Sequence, residues 1–198
     1  EILNNWDGDT NSESIAATIF EMFFNEWSFA LTKEWFPENL VEHIYPSAAA
    51  AANYLLRNED TKGWLKSTDR SELIIDTMEK IIIDLENKFG KDINKWKWGN
   101  LHKVYLNHPI SIIGDLSLLY DRGGFSVGGT GVTVCNTGFD PNYLAPMGAN
   151  LRLIADLNEE GMWIIDSQGV SGDPGSDFYC DQSEKWVKGD YIYLKFDN

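Results

Sequence analysis

The sequence predicts an α+β chain with helices first and strands second, and three observations carry that prediction. Apolar residues recur at helical spacing through the first half. After "WKWGN" at 96–100, short runs rich in Val, Ile, Leu and Tyr alternate with Gly, Asp, Asn and Pro. No Gly/Ser/Pro linker separates the two textures, so 1–198 is expected to behave as a single unit, mainly helical over 1–98 and mainly strands and loops over 99–198.

The first helix is expected over 12–35. Ser14, Thr18, Glu21, Asn25, Ser28 and Thr32 form one narrow polar stripe, and nearly everything else is apolar, including Ile19, Phe23, Trp27 and Leu31. A helix so apolar around its circumference is normally buried on several sides. That is more than a chain of this length readily wraps, which predicts a partner surface outside it. The stretch before it, "NNWDGDTNSE" at 4–13, offers Asp7, Asp9 and Asn11 at alternate positions, like calcium ligands. Such a loop needs glycine at its sixth position and a bidentate acid at its twelfth, and those positions hold Ser12 and Thr18. Helix capping accounts for the acids instead, with Thr10 and Glu13 as a capping box.

A second helix is expected over 48–56, after Pro46 and Ser47. A third is expected over 71–89, with Ile74, Met78, Ile81, Ile82 and Leu85 on one face and Gly90 as its stop. Strands are expected at 102–107, 125–136, 150–157, 161–166 and 191–196.

Composition removes several function classes. The net charge of −15 argues against nucleic acid and against an anionic membrane surface, because both need clustered Lys and Arg. No uninterrupted apolar stretch is long enough to span a bilayer. Two cysteines, Cys135 and Cys180, allow at most one bridge and are not spaced as metal ligands.

Several motifs match chemical patterns that simpler accounts explain better. "GFSVG" at 124–128 matches a nucleophile elbow, but the residues after it look like strand and no histidine follows His108, so Ser126 reads as a turn residue. A His, Asp, Ser order can be assembled from His102 or His108, Asp115 or Asp121, and Ser126, from residue types too common to be specific. "GGTG" at 128–131 lacks the Lys and the following helix of a phosphate cradle and reads as a hairpin turn. His43, His102 and His108 lack the spacing of a zinc site and read as structural.

Three patches together resemble the penicillin amidase family of N-terminal nucleophile hydrolases. "LNNWDG" leading into "SESIAATIFEMFFNEW" looks like the family's Trp-Asp-Gly turn before a long helix. "WKWGNLHKVYLNHP" carries Trp98, Gly99, His102, His108 and Pro109 in the family's order. "GVSGDPGSDFYCDQSEKWVKGDY" resembles its closing Gly-, Pro-, Tyr-, Asp-Gln- and Trp-bearing series, with "GGTGVTVCNT" and "GANLRLIADL" between in the expected places. Val170 and Phe178 stand where the family usually has Gln and His, which marks a divergent member.

The resemblance implies part of an αββα architecture and hydrolysis of linear amides, of the β-lactam, acyl-homoserine lactone or N-acyl amino acid type. In the family a serine freed by autoproteolysis attacks the amide, its own α-amino group acting as base, while backbone and asparagine amides hold the oxyanion. The matched patches belong to the C-terminal part of the large subunit. The nucleophile, the oxyanion asparagine and most of the acyl pocket are then expected upstream, and this chain, which begins with Glu1, is expected to be inactive alone.

No catalytic, cofactor-binding or metal-binding residue is therefore assigned to a position here, and no cofactor is expected. Cleavage before Thr130 would expose a threonine but leave too little chain for a catalytic core. The expected partners are the upstream β-subunit region, the α subunit and a small acyl amide, and the family resemblance leans towards an extracytoplasmic location. Trp6, Trp96, Trp98 and Trp186 are expected to fasten loops through their indole N–H groups. Gly169, Gly172 and Gly175 are expected to make tight backbone turns around Pro174, and Asp181 with Gln182 to cap a last short helix. The competing class is a self-standing, non-enzymatic partner-binding module.

Overall fold

The computed structural model describes residues 1–59, 61, 63–66, 69–146 and 148–196, and the α+β class is borne out. The chain divides into two compact units: Glu1–Asp9 with Ile15–Lys97, and Thr10–Ser14 with Trp98–Asn198.

The first unit is helical. Its axis is α1 (Ile15–Lys33), on which α2 (Glu38–Ile44), α3 (Ala49–Arg57) and α4 (Arg70–Phe89) all pack. No residue of α1 from 15 to 32 is fully exposed. The polar stripe faces inward rather than outward: Thr18, Ser28 and Thr32 are all buried. A buried hydroxyl must find an acceptor, and two of these find the backbone one turn back, Ser28 Oγ donating to Phe24 O (2.8 Å) and Thr32 Oγ1 to Ser28 O (2.7 Å). The unit's own helices cover much of α1, while Ile15, Phe20, Phe24 and Phe29 stay half-buried.

Trp27 is fully buried, stacks on Phe23 and donates its indole N–H to Ala52 O (3.0 Å), which fixes α3 against α1. The face of α4 expected from the sequence is the one that turns inward, with Thr77, Ile81 and Leu85 buried and Lys80 paired with Glu26 of α1. Asp69 caps α4 by accepting from the Ser71 and Glu72 amides, and Arg70 satisfies the end of α3 at Leu55 O and Leu56 O.

Helix α1 starts at Ile15, so Thr10 is too far upstream to cap it. The acidic stretch forms side-chain turns instead: Asp7 Oδ1 accepts from the Asp9 amide (2.9 Å) and Asn11 Oδ1 from the Glu13 amide (2.8 Å). Trp6 closes the first of these through its indole N–H to Asp9 O (2.8 Å) and lays its ring against Phe20 of α1 (5.3 Å).

The second unit holds two small sheets. The short helix α5 (Trp98–Leu101) leads into β1 (Lys103–Leu106), which pairs antiparallel with β2 (Arg122–Ser126) across a bulge at Val104/Tyr105. The connection between them carries two 3₁₀ turns and α6 (Ser117–Tyr120). A second sheet has the order β3 (Arg152–Ala155), β4 (Gly161–Ile165), β5 (Ile192–Lys195), antiparallel throughout, with α7 (Ser183–Lys188) before its last strand. Val104, Val127, Ala145, Ile165 and Trp186 form its core. The strand expected over 125–136 ends at Ser126, and the chain beyond runs as a loop. No helix among the described residues is long and apolar enough to cross a membrane.

Glu21 gives the first unit a pH signature. Burial raises its carboxyl from 4.5 to about 7, and among the described residues no side chain pairs with it. Between about pH 4.5 and 7 the folded state keeps a proton that the unfolded state has lost, so stability falls as pH rises through that window and stays reduced above it. Glu21→Gln should raise stability at pH 8 by on the order of 2–3 kcal/mol and leave it unchanged at pH 4. Urea unfolding at the two pH values measures this, and equal effects at both would contradict it.

Candidate functional site

The motif residues of the second unit converge on one aromatic cluster. Trp98 is fully buried and stacks on His102 (4.7 Å), with Phe139 and Tyr143 edge-on to it. Its indole N–H donates to Gly129 O (3.0 Å), while the Gly129 amide donates to Thr10 O (2.9 Å). Both backbone groups of Gly129 are therefore engaged in a chain direction that needs φ of +82°, and an added Cβ would lie 1.9 Å from Cys135 O. The "GGTG" stretch is an anchored segment and not a hairpin turn. Gly99 is held just as closely, its amide on Ser12 O (2.7 Å) and an added Cβ only 2.8 Å from Ser12 and Ser126.

His102 is buried and fixed by the Tyr143 carbonyl 2.9 Å from Nδ1. A carbonyl only accepts, so Nδ1 carries the proton. Nε2 makes no hydrogen bond, although the Thr137 backbone lies near enough to favour the cation slightly. Desolvation outweighs both backbone influences and lowers the His102 pKa, so the ring is neutral at pH 7. Tyr143 itself sits at φ 65°, held by Asp140 Oδ1, which accepts from the Asn142 and Leu144 amides. The sequence offered only the Asp-Pro-Asn turn at 140–142 as a pointer to this carbonyl.

The residues of a hydrolytic triad are in the chain but are otherwise employed. Ser126 Oγ donates to Gly99 O (2.6 Å). Asp121 Oδ1 accepts from the His108 backbone amide (2.8 Å), and His108 Nδ1 accepts from the Ile110 amide (3.1 Å), which makes His108 the cap of a 3₁₀ turn. Asp115 lies within the next 3₁₀ turn. Thr130 is buried, and its hydroxyl accepts from the Val132 amide (3.3 Å). Cys135 and Cys180 are free thiols.

The closing series is built round Trp186, which is buried, donates to Ala149 O (2.9 Å) and carries the Arg152 guanidinium over its ring (4.4 Å). Gln182 stands at the N-cap of α7, yet its side chain accepts from the Asp166 amide (2.9 Å), so it ties two loops instead of capping. Among the three loop glycines only Gly169 meets a steric demand, since an added Cβ would lie 2.2 Å from Phe178 O; none of the three has positive φ.

Cavities lined by described residues occur in both units. A cleft of about 240 Å³ in the second unit is lined by Tyr105, Asn107, Asn150, Ser167, Gln168 and Trp186, among others. Its described lining residues offer hydrogen-bonding groups but no carboxylate, imidazole or thiol. A larger cavity of about 550 Å³ lies in the first unit and is lined mainly by apolar and aromatic side chains, with Thr32 and Ser47 among them.

Fold and site together define a chain that holds loops on buried tryptophans and brings no nucleophile and base together among its described residues. The family model for penicillin amidase matches residues 1–198, and the chain belongs to that family. It is 27% identical over 202 residues to the acyl-homoserine lactone acylase QuiP of Pseudomonas syringae pv. syringae, covering 94% of this chain and 24% of the relative. It is 25% identical over 218 residues to that of Pseudomonas aeruginosa (96% and 26%) and 25% over 211 residues to that of Pseudomonas putida (97% and 25%). The chain spans about a quarter of the length of the curated relatives it matches.

Trp98→Phe tests the central anchor. It keeps most of the ring but leaves the Gly129 carbonyl unpaired, and should cost about 1–3 kcal/mol in thermal or urea unfolding. A change below about 0.5 kcal/mol, the range of a surface substitution, would show that the indole bond is dispensable.

Proposed function

We propose that this chain is a supporting portion of an acylase that hydrolyses the linear amide of an acylated amine, with its N-terminal serine nucleophile located outside the chain. The observation that carries this is the family match along all 198 residues, together with relatives named as acyl-homoserine lactone acylases whose sequences extend far beyond the matched quarter.

The geometry agrees with that assignment. An amide hydrolase of this kind needs a nucleophile whose proton is taken by its own α-amino group, and a preorganised oxyanion site. The hydroxyls of Ser126 and Thr130 are instead committed to backbone groups, and the His102 ring is buried against Trp98. What the chain supplies is rigid support for loops, and its partners in the reaction are the upstream β-subunit region, the α subunit and an acyl amide substrate.

The test is a comparison of the full-length protein with residues 1–198 alone, using hydrolysis of an N-acyl-homoserine lactone and of a phenylacetyl amide as readouts. Activity is expected in the full-length protein, with a serine found at the new N-terminus by mass spectrometry, and none in the isolated chain. Ser126→Ala in the full-length protein should keep kcat/KM within about threefold, under 1 kcal/mol of transition-state stabilisation. Turnover by the isolated chain, or a loss of 10³-fold or more in Ser126→Ala, the scale on which removing a nucleophile acts, would overturn the proposal.

A further inference from the structure

The cavity of the first unit has a composition that points to a specific class of ligand. It is bounded by Leu31 near the end of α1, by Trp35 in the turn after it, by Ala48 at the start of α3 with Ala51 and Leu55 along it, and by Trp64. None of its described lining residues is ionisable. Two polar groups that face the region are already engaged, with Thr32 Oγ1 on Ser28 O (2.7 Å) and Trp35 Nε1 on Trp64 O (2.6 Å). Apart from the Ser47 hydroxyl, a guest would therefore meet mainly hydrocarbon and aromatic faces, which reward apolar area and return little to a polar group for its lost water. At about 550 Å³ the space is within the roughly 300–1,000 Å³ of small-molecule sites.

The space exists because of the sequence. The run "SAAAAANYLL" at 47–56 puts alanines where larger residues would close the gap between α3 and α1. Its mouth is framed by Trp35 and Trp64, 45% and 46% exposed, their rings edge to face at 5.9 Å, so the cavity opens outward. The Lys66 ammonium lies 3.5 Å over the Trp35 ring and sets a cation at the rim. Glu34, which accepts from the Lys66 backbone amide (2.9 Å), puts an anion nearby. Among the described residues Lys66 thus offers a carboxylate a cation at the rim, while the interior favours the chain behind it.

We propose that this cavity is a binding site for an aliphatic chain carrying an anionic or neutral head, a medium-chain fatty acid being the fitting ligand, and that it is separate from the amide chemistry. It is built wholly from residues of the first unit, and it stands whether or not the protein hydrolyses amides.

Photolabelling of the full-length protein with a decanoic acid that carries a terminal diazirine tests this. Peptides containing residues 31–36 and 48–64 should be labelled, with saturation, and the label should be competed by decanoate and by decanol but at least tenfold less well by decylamine. Ala51→Phe, which fills the cavity, should cut labelling of those peptides at least tenfold, and Ala48→Leu should do the same if Ala51→Phe lowers the melting temperature. Absence of label in those peptides, competition as strong by decylamine as by decanoate, or equal labelling in a folded filled variant would each overturn the proposal.

Discussion

The structure depends on what happens to the N–H of a buried indole. Burying a tryptophan removes a large apolar surface from water, but its one polar hydrogen must then find an acceptor or the burial is penalised. Here the acceptor is repeatedly a backbone carbonyl of a segment outside regular structure: Asp9 for Trp6, Gly90 for Trp96, Gly129 for Trp98 and Ala149 for Trp186. Each bond places a loop relative to a core element, so side-chain burial and loop geometry are set together. A chain with short strands and long connections needs such fixing, because its loops have few ladder bonds of their own.

The same rule shapes both units in different ways. In the first, Trp27 spends its N–H on Ala52, and the helices close round α1 until even its polar stripe is enclosed. The alanines that let α3 approach α1 also leave the cavity beside it. In the second, His102 and Trp98 share one stack, and the carbonyls of Tyr143 and Gly129 hold its two polar hydrogens. Desolvation lowers the pKa of a histidine enclosed in that manner, and its Nδ1 proton is held on a carbonyl.

Much of this was legible from residue order. The period of Ile74, Met78, Ile81 and Leu85 gave the inward face of α4, and the four tryptophans were rightly expected to fasten loops. What could not be read locally was set by distant partners. The apolar run after Ser126 has strand texture, yet Trp98 and Thr10 take both backbone groups of Gly129 and hold it at positive φ, which ends the strand. The burial of Ser28 and Thr32 could not be read from the stripe they belong to, because their bonds back to the preceding turn are invisible in a periodicity. Gln182 occupies a capping position, but the amide of Asp166 has the stronger claim on its side chain. The short helix α2 after Pro37 was too brief to leave a periodic trace. For the site, the motifs identified which residues matter, while their roles followed only from which carbonyl each side chain meets.

Hydrogen exchange at the Gly129 amide is the most direct test of this account. That amide lies in a loop, yet the anchor through Trp98 and Thr10 predicts protection comparable to the Ile81 and Leu85 amides of α4. Exchange as fast as that of an unstructured peptide would contradict it, and with it the view that buried indoles, rather than regular structure, hold this part of the chain in shape.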